Sequence, residues 1–262
     1  MIVEEKDIRT GYVKSETHEH ITSIEFFHPQ SNSLPGYILE QLVQEIHYYS
    51  HDAETKVIIL RSPGGKAFCA GASFDELAAI TTEQDGLVFF SGFANVINAM
   101  RKCPKIIIGR IHGKCVGGGV GLAAAVDYAI ALEGAEIKLS ELAIGIGPFV
   151  VGPAVERKLG KSAFSQLAID AGLWRNGDWA RRKGLYAELH SNLEGMEESI
   201  SRLSKTLSHY SSEAMAELKK VLWEGTEHWD HLLPERAAMS GKLILSEFSK
   251  KSIQKFKEKK HN

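Results

Sequence analysis

The sequence predicts an α/β fold, and three observations carry that prediction. Strand-like and helix-like stretches alternate through the first third. A glycine-centred turn near the middle joins an apolar strand to a run of small residues. The last third shows helical periodicity throughout. With 262 residues the chain suits one large domain or two small ones, and folding at that length hides roughly 70% of the unfolded surface.

Taken in order, ITSIEFFH (21–28) is rich in β-branched and aromatic residues and runs into the turn cluster PQSNSLPG. Apolar residues then recur at helical spacing at Ile38, Leu39, Leu42, Val43, Ile46 and Tyr49. KVIILR reads as a short apolar strand broken by Ser-Pro-Gly-Gly. A second helix carries Leu87, Phe90, Phe93, Ile97 and Met100 before Pro104 stops it. KIIIGRIHG reads as another strand, followed by Gly117, Gly118 and Gly119. The next stretch, LAAAVDYAIALEG, reads as a buried helix, because small residues permit close packing. IKLSELAIG is a strand-and-turn unit. From Val150 onward the pattern is helical, with Lys- and Glu-rich faces opposite apolar positions that need a cover.

Composition removes several classes of function. Apolar residues make up 44% and charged residues 24%, and the formal net charge is −2, so there is no basic field for nucleic acid. The dense basic run is the tail, KKSIQKFKEKKHN. Cys69, Cys103 and Cys115 are odd in number and lack CxxC spacing, which argues against a disulfide framework or a zinc site. The polar, acidic start is no secretory signal, and no apolar run approaches the roughly 20 residues that span a bilayer. The expectation is a cytoplasmic protein with no metal and no stable membrane association.

Four segments resemble the crotonase superfamily, the enoyl-CoA hydratase/isomerase family: GKAFCAGASFDEL, KIIIGRIHGKCVGGGVGLAAAVD, AEIKLSELAIGIGP and GLWRNGDWARRKGLYAEL. Together they cover about 130 residues, and the C-terminal helices match less well. The resemblance implies the crotonase (ClpP/crotonase-like) spiral fold of repeated β-β-α units with a C-terminal helical oligomerisation region. It divides the chain into a core over 1–200 and a helical region over 201–262. It also implies a role in lipid and fatty-acid metabolism.

In such enzymes a thioester carbonyl sits between two backbone N–H groups, and Ala72 and Gly118 match those positions. Moving a proton beside a thioester places negative charge on its oxygen, which preorganised donors stabilise more than the ground-state carbonyl. Family hydratases often use two glutamates. Here the earlier position is Gly121 and the later one is Glu141. A carboxylate among Leu139, Leu142 and Ala143 has its pKa raised by desolvation, which suits a proton shuttle. On local sequence alone Glu141 reads equally as a turn residue.

One glutamate suffices to move a proton between carbons, so the pattern favours an enoyl-CoA isomerase. Two alternatives stand beside it: a hydratase adding water to a 2-enoyl-CoA, including a branched one such as methylglutaconyl-CoA, and a non-catalytic CoA-binding member. A glutamate introduced at 121 is expected to raise hydration if it fits beside Phe149. Asp127 reads as a buried structural acid, Glu133 and Glu136 as solvent-facing, His112 as a residue held by packing or a local hydrogen bond, and Cys69 and Cys115 as packing residues; His28 is a further histidine of note. Asp75 and Glu76 are further acids near the site.

The resemblance places coenzyme A along Ala70, Gly71 and Ala72, as part of the substrate rather than a tightly bound cofactor. Lys66 reads as a phosphate ligand or as a solvated turn lysine. Phe248, Lys250 and Lys251 resemble the region that closes over the nucleotide. The acyl pocket candidates are Phe74, Leu77, Phe89, Phe90, Phe93, Ile144, Pro148 and Phe149. A homotrimer, stacked as a hexamer, is the assembly implied.

Overall fold

The computed structural model describes residues 10–261, with side chains to residue 255. The acidic opening stretch that bears on a secretory signal lies, up to residue 9, outside the described residues. Two sheets organise the chain. The larger sheet contains β1 (Tyr12–His18), β2 (Ile21–Phe27), β3 (Val57–Arg61), β5 (Ile106–Ile111), β7 (Tyr128–Leu132) and β9 (Glu188–His190). Its spatial order is β1-β2-β3-β5-β7-β9, antiparallel at β1–β2 and parallel thereafter. The smaller sheet, wholly parallel, aligns β4 (Ala67–Cys69), β6 (Lys114–Val116) and β8 (Ile137–Lys138).

The chain therefore visits the two sheets alternately: β3 then β4, β5 then β6, β7 then β8. Each pair is a β-β unit followed by a helix or helical turn, and the repetition winds the spiral. The first four helices are α1 (Gly36–His51), α2 (Phe74–Leu77), α3 (Glu83–Lys102) and α4 (Gly118–Ala125). A 3₁₀ turn (Glu141–Ile144), α5 (Gly152–Ile169) and α6 (Gly177–Arg182) follow. The C-terminal helices are α7 (Leu193–Ser208), α8 (Ser212–Leu222), α9 (Trp229–Leu243) and α10 (Glu247–His261).

All six residues of β5 are buried, because both sheet faces are covered, as parallel sheets require. On one face Val57, Ile108 and Ile130 pack with Met196 and Ile200 of α7. On the other, Ile107 and Ile111 join the main core with residues of α1, α3 and α4. Each fully buried aliphatic side chain there contributes about 1.5–3 kcal/mol. Helix α3 starts with a reciprocal Thr82–Asp85 capping box and ends where Arg101 meets Asp230 at 2.7 Å. It crosses α9 so closely that a methyl group on Gly86 would lie 2.5 Å from Gly241 Cα.

Two sequence expectations change. The Ala-rich segment is not one helix: α4 ends at Ala125 and residues 128–132 form β7. Asp127 makes the break, donating its backbone N–H to Ile107 O at 2.9 Å and accepting Ile107 N–H on Oδ2 at 2.8 Å. This splices the chain onto β5 and leaves Val126 extended. Strand β1, absent from the sequence reading, is an edge strand joined to β2 through Glu19 and His20, both at positive φ (47° and 67°). Hairpin turns of that kind usually announce themselves with Asn-Gly, and this one does not.

The boundary expected at 200/201 falls inside α7. Among the described residues no helix is long and apolar enough to cross a membrane, and no group of three or more His, Cys, Asp or Glu could hold a metal ion.

Candidate active site

Because the small sheet is parallel, the segments leaving β4, β6 and β8 emerge at one edge. They are Ala70–Ala72, Gly117–Gly118 and Ser140–Glu141, and all three line one cleft of about 540 Å³. A cleft beyond the carboxyl ends of parallel strands is the usual place for a ligand in open α/β sheets.

The first two segments abut. Gly71 has φ +91°, and a methyl group there would lie 3.0 Å from Val116 O and 3.7 Å from Gly118 N. Gly117 has φ +51°, and a methyl group on it would lie 3.0 Å from Glu141 Oε1. Glycine is needed at 117 for both its backbone conformation and the approach of the carboxylate. Gly118 and Gly119 are held just as closely, by the Phe93 ring and by Cys69 O. The backbone N–H groups of Ala72 and Gly118 have no acceptor among the described residues. Both line the cleft. Gly118 opens α4, whose N-terminal end favours negative charge.

Glu141 opens the 3₁₀ turn and is the one acid lining the cleft among the described residues. The turn is fixed from both sides. Leu139 is fully buried, and Gly145 closes the turn in the left-handed conformation (φ +84°) against Phe248 and Ser249 of α10. Glu141 as a residue is partly accessible, but its Oε2 is buried and has no hydrogen-bond partner among the described residues. Desolvation pushes the pKa up to about 7, against a smaller lowering from a backbone hydrogen bond. A carboxylate poised near neutrality, with one oxygen unengaged, can take and return a proton.

All eight acyl-pocket candidates, from Phe74 to Phe149, line the cleft, as do Ala70, Gly71 and Ala72. Lys66, Lys250 and Lys251 are exposed and are not among its lining residues. Phe248 is 61% exposed. Asp75 bonds Gln30 Nε2 at 3.1 Å, and Glu76 accepts the Gly36 N–H that opens α1 at 2.9 Å. Glu133 is exposed, and Glu136 pairs with Lys114 at 2.8 Å. Cys69 and Cys115 are buried thiols whose pKa values burial raises. His112 is buried with neither ring nitrogen bonded, and burial holds its pKa down to about 4. The room sought at residue 121 is not beside Phe149: Gly121 faces Val151.

Sequence reasoning missed Lys138 and Trp174, which also line the cleft. Lys138 Nζ lies 5.5 Å from the Trp174 ring centroid and Lys114 Nζ lies 4.6 Å from it. The alternation in β8, with Ile137 buried and Lys138 facing out, was the available signal for Lys138. Trp174 comes from a loop that bridges to β8 through Arg175 and Ile137, and it had none.

Solved structures place this architecture in a class. An enoyl-CoA hydratase from Bacillus halodurans superposes with a TM-score of 0.86 at 22% identity, covering 93% of this chain and 99% of that one. One from Mycobacterium avium gives 0.82 at 23% identity over 94% and 96%. These likenesses show the crotonase-type α/β spiral with its C-terminal helices. The model of the family described as "Enoyl-CoA hydratase/isomerase" matches residues 16–262, and the chain belongs to that family.

Among curated relatives, a "Probable enoyl-CoA hydratase" of Bacillus subtilis is 28% identical over 92% of this chain and 94% of its own length. The mitochondrial 3-hydroxyisobutyryl-CoA hydrolase of Homo sapiens is 33% identical over 49% of this chain and only 35% of its own length. The mitochondrial methylglutaconyl-CoA hydratase of Mus musculus is 32% identical over 63% and 52%.

Proposed function

We propose that the protein is an enoyl-CoA isomerase that moves a double bond from the 3,4 to the 2,3 position of an acyl-CoA thioester. The observation that carries this reading is Glu141, among the described residues the one carboxylate in the cleft, buried and unpartnered at Oε2 in a cleft also lined by two residues whose backbone N–H groups have no acceptor among those residues. Ionised Glu141 removes a proton from C2. The electron pair moves onto the thioester oxygen as a dienolate, held by the N–H groups of Ala72 and Gly118. Glu141, now protonated, returns the proton to C4, the carbonyl re-forms, and the double bond rests between C2 and C3. No water or cofactor is consumed. Donors fixed in place before reaction supply stabilisation without reorganisation.

The pantetheine arm is assigned to Ala70–Ala72 and the acyl chain to the aromatic wall of Phe74, Phe89, Phe90, Phe93 and Phe149. Lys66 and Lys250, both exposed, are assigned to the nucleotide end. A homotrimer, paired as a hexamer, is the assembly proposed. The exposed Leu218, Val221 and Leu222 on α8 offer apolar surface that association would cover, and sedimentation should give three or six times the 28.9 kDa chain mass.

Hydration of a 2-enoyl-CoA is the second reading, favoured by the name of the Bacillus subtilis relative. A product assay in heavy-oxygen water separates the two. Shift of the double bond in 3-enoyl-CoA, with little ¹⁸O entering 2-enoyl-CoA, supports the isomerase. Rapid ¹⁸O incorporation with no double-bond migration overturns it.

A further inference from the structure

Glu141 packs over Gly117, the N-cap of α4, and Val151 packs over Gly121, four residues further on. Gly121 N donates to Gly117 O at 3.2 Å, so the two glycines share a face of the helix start. A methyl group on Gly117 would meet Glu141 Oε1. One on Gly121 would lie 2.5 Å from Val151 Cγ1, 2.9 Å from Val151 Cβ and 3.7 Å from Ile97 Cδ1. The missing side chain at 121 and the valine at 151 are two halves of one packing solution, although 30 residues separate them.

Val151 is 4% exposed and lines the cleft. It also occupies the N-cap of α5 and makes no side-chain cap bond. That position favours Ser, Thr, Asp or Asn, so helix formation does not explain a valine there. Packing against Gly121 does.

We propose that Val151 is a reaction-specificity determinant, and that its side chain closes the cleft wall next to Glu141 against a water molecule. This rests on the reading of Glu141 as the proton shuttle. Adding water to a 2-enoyl thioester needs its oxygen held against C3. The C3–O bond forms as the C2=C3 π pair moves to the thioester oxygen, the water proton passes to a base, and C2 then takes a proton. A buried water typically makes about three hydrogen bonds. Glu141 supplies an acceptor, and the Val151 wall supplies nothing. A proton removed by Glu141 then returns to carbon, and the oxygen of water has no seat on that wall.

The test is the ratio of ¹⁸O-labelled 3-hydroxyacyl-CoA to isomerised product, measured in heavy-oxygen water for wild type, Val151→Ser and the double variant Val151→Ala/Gly121→Glu. Folding is checked by circular dichroism. Val151→Ser adds a hydroxyl without enlarging the side chain, so it stands if the double variant fails to fold. The expected result is a rise in the ratio of about tenfold in Val151→Ser, the factor that corresponds to one hydrogen bond of about 1.4 kcal/mol, and a larger rise in the double variant. A folded Val151→Ser with the wild-type ratio, while isomerisation remains dependent on Glu141, overturns the role of Val151 alone. Isomerisation that persists in Glu141→Gln overturns the proposed function instead.

Discussion

Asp127 and Glu141 are both acids in apolar stretches of sequence, and the protein treats them in opposite ways. Asp127 is surrounded by donors. Its Oδ2 takes the Ile107 N–H and the Lys219 ammonium, each at 2.8 Å, and its Oδ1 takes the Trp223 indole N–H at 2.9 Å. Glu141 keeps one buried oxygen with no partner. The first carboxylate is satisfied, and it fastens α8 to β5. The second is held in a cleft with its protonation state left open. Burial makes an acid expensive in both places. Whether that cost goes to structure or to chemistry depends on the donors that the fold brings up.

The largest effect on stability is expected at the satisfied acid. Asp127→Ala would strand Lys219, whose side chain is 2% exposed, although its ammonium also reaches Lys105 O at 2.8 Å. Breaking a buried pair from one side costs about 3–5 kcal/mol. Denaturant unfolding should show a loss of that order. A loss below about 1 kcal/mol would place this pair with exposed ion pairs and weaken the contrast.

The next effect falls on turnover. Replacing the Ala72 residue by lactate turns its amide into an ester and removes the N–H while keeping the methyl group. That N–H has no acceptor among the described residues, so stability should change little beyond a weaker Gly71 O acceptor for Leu34 N–H. Turnover should fall about 10²–10³-fold, the usual loss for one oxyanion donor. A side chain at Gly118 is a poorer test, because it would run into Phe93. An ester variant with wild-type kcat would remove Ala72 from the mechanism.

The smallest effect sharpens the account of Glu141. Its folded pKa of about 7 lies above the ordinary 4.5, so between those values the unfolded state binds fewer protons than the folded state. Stability from this group is therefore present below pH 4.5, falls as pH rises through about 7 and stays lost above it. At 1.36 kcal/mol per unit the ceiling is about 3 kcal/mol. Glu141→Gln should melt higher than wild type at pH 8 and at a similar temperature at pH 4.5. Equal melting at both values would mean that Glu141 carries no desolvation cost.

Much of this was legible from sequence. The helix from Gly36, the strand from Ile106 and the two glycine motifs carried strong local patterns, and the eight apolar residues expected around an acyl group all line one cleft. What stayed hidden depends on distant partners. Asp127 ends the alanine-rich helix only because Ile107 lies across from it. The Glu19–His20 turn lacks turn residues. β9 is three residues long, too short for a period to show. Val151 gives no sign that it fills the space above Gly121, since that contact exists only once α4 and α5 pack.

The central claim, that Glu141 alone shuttles the proton, is tested most directly by kcat/KM of wild type and Glu141→Gln on a 3-enoyl-CoA across pH 5 to 9. The account predicts that the wild-type value rises with pH through about 7, as the carboxyl ionises and becomes a base. The glutamine variant, folded by circular dichroism, should be about 10²–10⁴-fold slower and lack that rise. A glutamine variant retaining near-normal activity, with the same pH profile as wild type, would contradict it.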